Sequence, residues 1–161
     1  MKSLTLVAIA LFFVAFAGVY LYNSNQVAND LQTFEFKPPY AFVPGDGLSA
    51  FNAFFFVFIV SLLLFGIGGV VSMTLEGLKY GSLFSSSLAG IVTGFHFFDL
   101  LFVIPQLMAC FAATTLGAGL ILDYRGKASL FPYWNYAVRY FVFGLLLTIV
   151  LLGLRPFLVF L

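Results

Sequence analysis

The chain has 161 residues, of which 63% are hydrophobic, 20% aromatic and only 8% charged, with a formal net charge of +1. A soluble domain carries about a quarter of its residues as charged side chains, so this composition excludes a soluble fold and indicates a protein immersed in lipid. No cluster of Lys and Arg of the kind that binds nucleic acid or anionic lipid head groups is present, which excludes nucleic acid as a partner. The single cysteine, Cys110, excludes an intrachain disulfide and a multi-cysteine metal site.

The first apolar run covers residues 4–22 and follows Lys2. A basic residue, an apolar stretch and the small residues at 15–17 also match a cleavable secretory signal. The run stays apolar through Tyr22, which is about the length of one bilayer crossing. We therefore expect an uncleaved signal anchor. Residues 23–50 are polar and rich in turn-forming Pro and Gly, and they predict an extracytoplasmic loop.

Four more spans are predicted farther along the chain. Residues 50–73 form one apolar run, which ends at a charged break over 74–80. Residues 81–122 are 42 mostly apolar positions, about two crossings, so they must fold back once. This apolar stretch is interrupted around residues 96–99 and at Pro105, so we predict the hairpin there. The resulting spans are 81–97 and 102–122, and a fifth span covers 138–154.

These spans are expected to be helices, because a crossing segment must satisfy its own backbone and the runs lack the period-two alternation of barrel strands. We predict an all-α polytopic membrane bundle of five transmembrane helices in one domain, residues 1–161. Loops on one side carry five basic residues and those on the other carry two. The positive-inside bias then makes the N-terminus cytoplasmic, and the plasma membrane of a prokaryote is the favoured location.

Small residues at helical spacing are the expected helix contacts, since membrane helices associate where their backbones approach closely. The predicted helix-packing residues are Gly66, Gly68, Gly69, Gly77, Gly81, Gly90, Gly94, Ala113 and Gly117. We expect the second span to cluster with the 90–94 and 109–117 faces, and the first and fifth spans to lie at the periphery. Alternatively, the glycines line a path for a small solute.

Polar residues within spans are functional candidates because they are costly in lipid. His96 and Asp99 are three apart, so on a helix they would share a face and could relay protons. Alternatively both lie in the hairpin turn, with Asp99 capping the following helix. Asn52 either caps the second helix or hydrogen-bonds across the bundle. Glu76 and Lys79 are expected to form an interfacial ion pair in the cytoplasmic turn.

No catalytic constellation is recognisable in the sequence. One histidine and one cysteine cannot supply bis-histidine haem ligation or a zinc site. No phosphate-binding glycine loop and no nucleophile with a base partner is present. We therefore expect no catalysis by this chain and no cofactor or metal.

One pattern extends beyond hydropathy. Asn52 precedes a long apolar helix, a glycine pair follows at Gly77 and Gly81, and a Pro-containing segment from Ile104 runs on to Gly117. This order resembles the stage II sporulation protein M family, small five-span integral membrane proteins of bacteria and archaea. The resemblance implies a membrane scaffold or interaction protein; bacterial members serve in a cell-wall remodelling complex during sporulation.

The chain departs from that family at several positions. Glu76 precedes Gly77 where the family tends to have Asn, and Val103 stands where a Glu would fall. His96 is too far from Pro105 for the family's His-Gly register, and Gln106 rather than Ala follows the proline. The resemblance covers under half of the chain.

The expected function is that of a non-catalytic scaffold or accessory subunit within a larger membrane complex, with the lipid bilayer and other membrane subunits as partners. Few polar groups within the spans suit a packing surface better than an aqueous path. A small oligomeric transporter or channel using His96, Asp99 and glycine-lined helices is the first alternative. The second is a subunit of a redox or other enzyme complex.

Overall fold

The computed structural model describes residues 2–28, 47–64, 67–87 and 100–158. Within these ranges the chain forms five helices and no strand, as an all-α fold requires. They are α1 (Lys2–Ala28), α2 (Gly47–Leu63), α3 (Ile67–Ser87), α4 (Val103–Tyr124) and α5 (Phe131–Leu158). The first, fourth and fifth helices contain the predicted first, fourth and fifth spans almost entirely and are longer at their ends. Residues 23–28 and 47–50, assigned to the loop, are helical.

The second and third helices differ from the prediction. The predicted break at 74–80 is wrong, because these residues lie inside α3, and the boundary between the two helices falls after Leu63 instead. There the Leu64 amide donates to Val60 O and the Ile67 amide to Leu64 O, which links the two helices closely. Glu76 and Lys79 suggested a turn because charges are costly inside a membrane helix. Within α3 they form an ion pair, which offsets part of that cost.

Neighbouring helices in sequence run antiparallel where contacts fix their direction. Ala109 and Cys110 of α4 pack with Phe54 and Val57 of α2, and Ala50 packs with Phe102, so α2 and α4 are parallel. Along α1 and α3, Phe12 meets Gly77, Phe16 meets Gly81 and Asn23 meets Ser85, so these two are also parallel. On α5, Gly144 lies against Pro105 and Gly119 of α4 against Tyr133, which makes α4 and α5 antiparallel. Gly69 of α3 lies against Cys110 of α4, and Tyr80 clusters with Val103, so α3 and α4 are antiparallel and the described helices alternate in direction.

The fourth helix is the centre of the bundle. It contacts all four other helices, and its buried positions are mainly small residues. They include Ala109, Ala112, Ala113, Gly117 and Gly119. Small side chains permit neighbouring backbones to come near on several sides at once, which is why α4 rather than an aromatic-rich helix occupies the middle.

The first helix packs on α3 more extensively than any other helix pair in the described chain. A Cβ on Gly77 would collide with the backbone carbonyl of Phe12, and a Cβ on Gly81 would lie 2.5 Å from that of Phe16. The glycine pair thus lets α3 press against the α1 backbone. The expected cluster of second-span and fourth-span faces is present, but the prediction that the first span lies only at the periphery missed this contact.

Three described helices are long and apolar enough to cross a membrane: Leu6–Gln26, Val103–Tyr124 and Phe131–Phe157. Leu48–Leu63 is apolar but shorter. The third helix has 21 residues, but Glu76, Lys79 and several serines lower its hydropathy. The protein is therefore a helical membrane protein with at least three segments suited to a bilayer.

Candidate functional site

The charged pair inside α3 is the most unusual feature of the described interior. The Glu76 side chain is 0% exposed and Lys79 is 3% exposed. Lys79 Nζ donates to Glu76 Oε2 at 2.5 Å. The two residues are three apart, so they share one face of the helix, and each neutralises the other's charge. The expected ion pair is present, but in the interior of the bundle rather than in a turn.

The position of the pair follows from the residue spacing on α3. Gly69 lies seven residues before Glu76, two turns along the same face, and a Cβ there would collide with the Cys110 sulfur. Glu76 therefore lies on the face of α3 that packs against α4. The next residue, Gly77, lies against α1. The pair is held where α3 is enclosed by other helices.

An apolar shell surrounds this part of α3. Met73 and Tyr80 belong to a buried cluster with Phe12 of α1 and Val103 of α4. Lys79 Nζ also lies 4.5 Å from the centroid of the Tyr80 ring, a cation–π contact. Charges in such a setting are stable only when paired, so the pair and its packing depend on each other.

Two acceptor oxygens in the interior have no hydrogen-bond partner among the described residues. They are Oε1 of Glu76 and Oε1 of Gln106, whose side chain is 2% exposed. Gln106 lies on α4, one turn before Cys110. A buried carboxylate with one open oxygen can accept a proton or a hydrogen bond, so Glu76 is the described residue best suited to proton or ion binding.

A second buried polar contact joins α1 and α3. Asn23 Nδ2 donates to Ser85 Oγ at 2.8 Å, and Ser85 Oγ in turn donates to the Ser82 carbonyl at 2.8 Å. On α3 the contact lies one turn beyond Gly81. Together with the glycine pair it fixes the register of the two helices.

Two of the three predicted polar candidates fall on residues that the structure does not describe. His96 and Asp99, and the packing residues Gly66, Gly90 and Gly94, lie outside the described residues. Asn52 is exposed on α2. Because that helix begins at Gly47, Asn52 lies in its second turn, which is not an N-cap position, so the capping alternative is excluded.

The remaining predicted packing residues lie at helix contacts or in the buried part of α4. A Cβ on Gly68 would collide with the Val60 carbonyl, and one on Gly69 would be 2.7 Å from Ser61 Oγ. Ala113 and Gly117 are buried in α4. Two contacts were missed, at Gly119 and Gly144, where a Cβ would meet aromatic rings.

An apolar groove opens on the outer side of α2, α4 and α5. Its volume is about 230 Å³, and its lining is entirely apolar. The lining residues are Phe58, Leu116, Trp134, Ala137, Val138 and Phe141. Two of these lining residues, Phe58 and Phe141, contact each other, with ring centroids 4.7 Å apart.

No group of three or more His, Cys, Asp or Glu that could hold a metal occurs in the described part of the chain. No protein-family model, curated protein or solved structure matches the chain. The resemblance to the stage II sporulation protein M family therefore stays a prediction.

Proposed function

We propose that the chain is a non-catalytic integral membrane scaffold or accessory subunit that works within a larger membrane protein complex. The proposal includes five crossings, with the N-terminus cytoplasmic and the plasma membrane of a prokaryote as the location. It rests on the large apolar surface that the bundle leaves uncovered: 22% of the spanning window is buried in α1 and the same fraction in α5. Such surface is available to lipid and to the helices of other subunits.

The distribution of basic residues, combined with the alternating helix directions, supports the proposed orientation. The side with the N-terminus then carries Lys2, Arg125, Lys127 and Arg139, while Lys37 and Arg155 belong to the other side. Lys79 leaves the cytoplasmic group because it lies inside α3. Four basic residues against two still satisfy the positive-inside bias.

The observation that carries the proposal is the face of α1 opposite α3. Ala10, Val14, Ala17 and Leu21 are all exposed and recur at helical spacing. Gly18 beside them is also exposed, and a Cβ there would meet nothing within 4 Å. Small residues flanked by larger apolar ones are the pattern on which membrane helices pack. A helix of another subunit fits this face better than it fits the bulkier surface of α5.

Replacing Gly18 with leucine is expected to reduce recovery of partner subunits at least tenfold, which corresponds to about 1.4 kcal/mol of binding free energy. The added side chain points into open space in the isolated chain, so folding is retained. The measurement is quantitative mass spectrometry of proteins that co-purify with the tagged chain in a mild detergent.

Gly153→Leu is the matched control, because Gly153 is also exposed, lies in a spanning helix and has nothing within 4 Å of its Cβ position. It should leave recovery of partners unchanged. Equal recovery with Gly18→Leu and with wild type would show that the outer face of α1 binds no subunit.

A small transporter is the second candidate, and the Glu76–Lys79 pair is the observation that favours it. Ionisable side chains within spanning segments commonly mark ion or proton pathways. Gly77 aligns the pair with Phe12 and Ala15 of α1, near the middle of the Leu6–Gln26 segment. The open Glu76 Oε1 gives a transported proton a place to bind.

Purified chain in liposomes separates the two candidates. The scaffold proposal predicts no proton or cation flux above that of empty liposomes, measured with an entrapped pH dye. Flux that falls at least tenfold in Glu76→Gln, with the variant still folded, would instead establish transport through the charged pair.

A further inference from the structure

We propose that the groove on α2, α4 and α5 binds one acyl chain of an anionic phospholipid, with the lipid phosphate at the basic turn between α4 and α5. This goes beyond the scaffold role and does not depend on it. The turn covers residues 125–130 and carries Arg125 and Lys127, both exposed.

The length and lining of the groove suit a hydrocarbon chain. Trp134 and Phe141 are seven residues apart, so the groove extends about 10 Å along α5. Its volume is about 230 Å³ and its lining is entirely apolar, so it has room for a segment of an acyl chain.

The apolar lining suits hydrocarbon along the whole groove. Ala137 supplies the small position between the larger side chains, and Leu116 and Phe58 form the opposite wall. Trp134 lies at the end nearest the turn, and tryptophan is the residue that usually stands where hydrocarbon meets head groups. The groove thus has an apolar interior and an interfacial end.

Charge determines the class of head group. The turn carries two cations, and Asp123 beside it accepts a hydrogen bond from the Leu130 amide at 3.3 Å. Trp134 N donates to Leu130 O at 2.9 Å, so the turn is one helical turn from the end of the groove. Gly126, with φ of 64°, allows the chain to reverse there without strain. An anionic phosphate is attracted to this end of the groove, because basic residues near a membrane surface attract anionic head groups.

Fluorescence of Trp134 tests the proposal directly, because it is the single tryptophan of the chain. The protein in detergent is titrated with phosphatidylglycerol carrying brominated acyl chains, and separately with brominated phosphatidylcholine. Quenching by the anionic lipid should saturate, at a mole fraction at least fivefold lower than for the zwitterionic lipid. Equal, non-saturating quenching by both lipids would mean that Trp134 meets only bulk lipid, and would overturn the proposal.

Two variants separate the groove from the turn. Ala137→Phe fills the groove and should abolish saturable quenching, whereas Val150→Phe, at an exposed position elsewhere on α5, should not. Changing Arg125 and Lys127, both exposed, to glutamine should remove the fivefold preference and leave weak quenching. A preference that persists in this double variant would contradict the assigned phosphate position.

Discussion

Replacing Lys79 with methionine is expected to lower the free energy of unfolding by about 3–5 kcal/mol, because it leaves the Glu76 carboxylate buried without its partner. Glu76 is fully buried, and its other oxygen has no hydrogen-bond partner in the described chain. Methionine retains most of the apolar stem of lysine, so the loss reports the charge rather than the packing. The measurement is reversible unfolding in detergent, followed by circular dichroism.

Two comparisons make this result specific. Lys127→Met, at an exposed site, should change stability by no more than about 0.5 kcal/mol. Combining Lys79→Met with Glu76→Gln should recover much of the loss, because replacing a buried pair by neutral side chains is often close to neutral. If Lys79→Met costs no more than Lys127→Met, the pair is not buried in the folded protein.

Replacing Gly77 with alanine is expected to destabilise the bundle by about 1–3 kcal/mol, the usual cost of overpacking. The new methyl group would collide with the Phe12 carbonyl, and a backbone carbonyl cannot rotate away as a side chain can. The first helix must therefore move off α3, which also weakens the Asn23–Ser85 hydrogen bond. Unfolding in the same detergent measures the loss.

Gly153→Ala is the matched control for this substitution. It places the same methyl group on a spanning helix where nothing lies within 4 Å. Alanine favours helix by about 1 kcal/mol over glycine, so the control should be neutral or slightly stabilising. The same sign for both substitutions would argue that α1 does not pack on the Gly77 face.

The sequence predicts the helical class and the approximate position of three helices. A long apolar run in lipid must satisfy its own backbone hydrogen bonds, and a helix does so. It misplaces the second turn for an equally physical reason. Glu76 and Lys79 are costly in lipid, so sequence reasoning puts them in a loop. Only the folded bundle shows that both side chains are buried and paired with each other. The end of α2 at Leu63 lies in a run of leucines, and no charged residue marks it.

Helix contacts were predictable in part. The spacing of Gly77 and Gly81 correctly indicates a face that another helix approaches closely, but spacing alone does not identify α1 as that helix. Gly144 was missed because its neighbour is the ring of Phe54, and no pattern of small residues marks it. The groove is formed by three helices distant in sequence, so no local pattern reveals it.

The most direct test of the central claim is the mass of the intact assembly extracted from native membranes in a gentle detergent. The chain itself contributes 17.7 kDa per copy. The scaffold proposal predicts a larger assembly that contains foreign membrane subunits in fixed stoichiometry with this chain. An assembly whose mass is a simple multiple of 17.7 kDa plus bound lipid would contradict it and would place transport through the Glu76–Lys79 pair first.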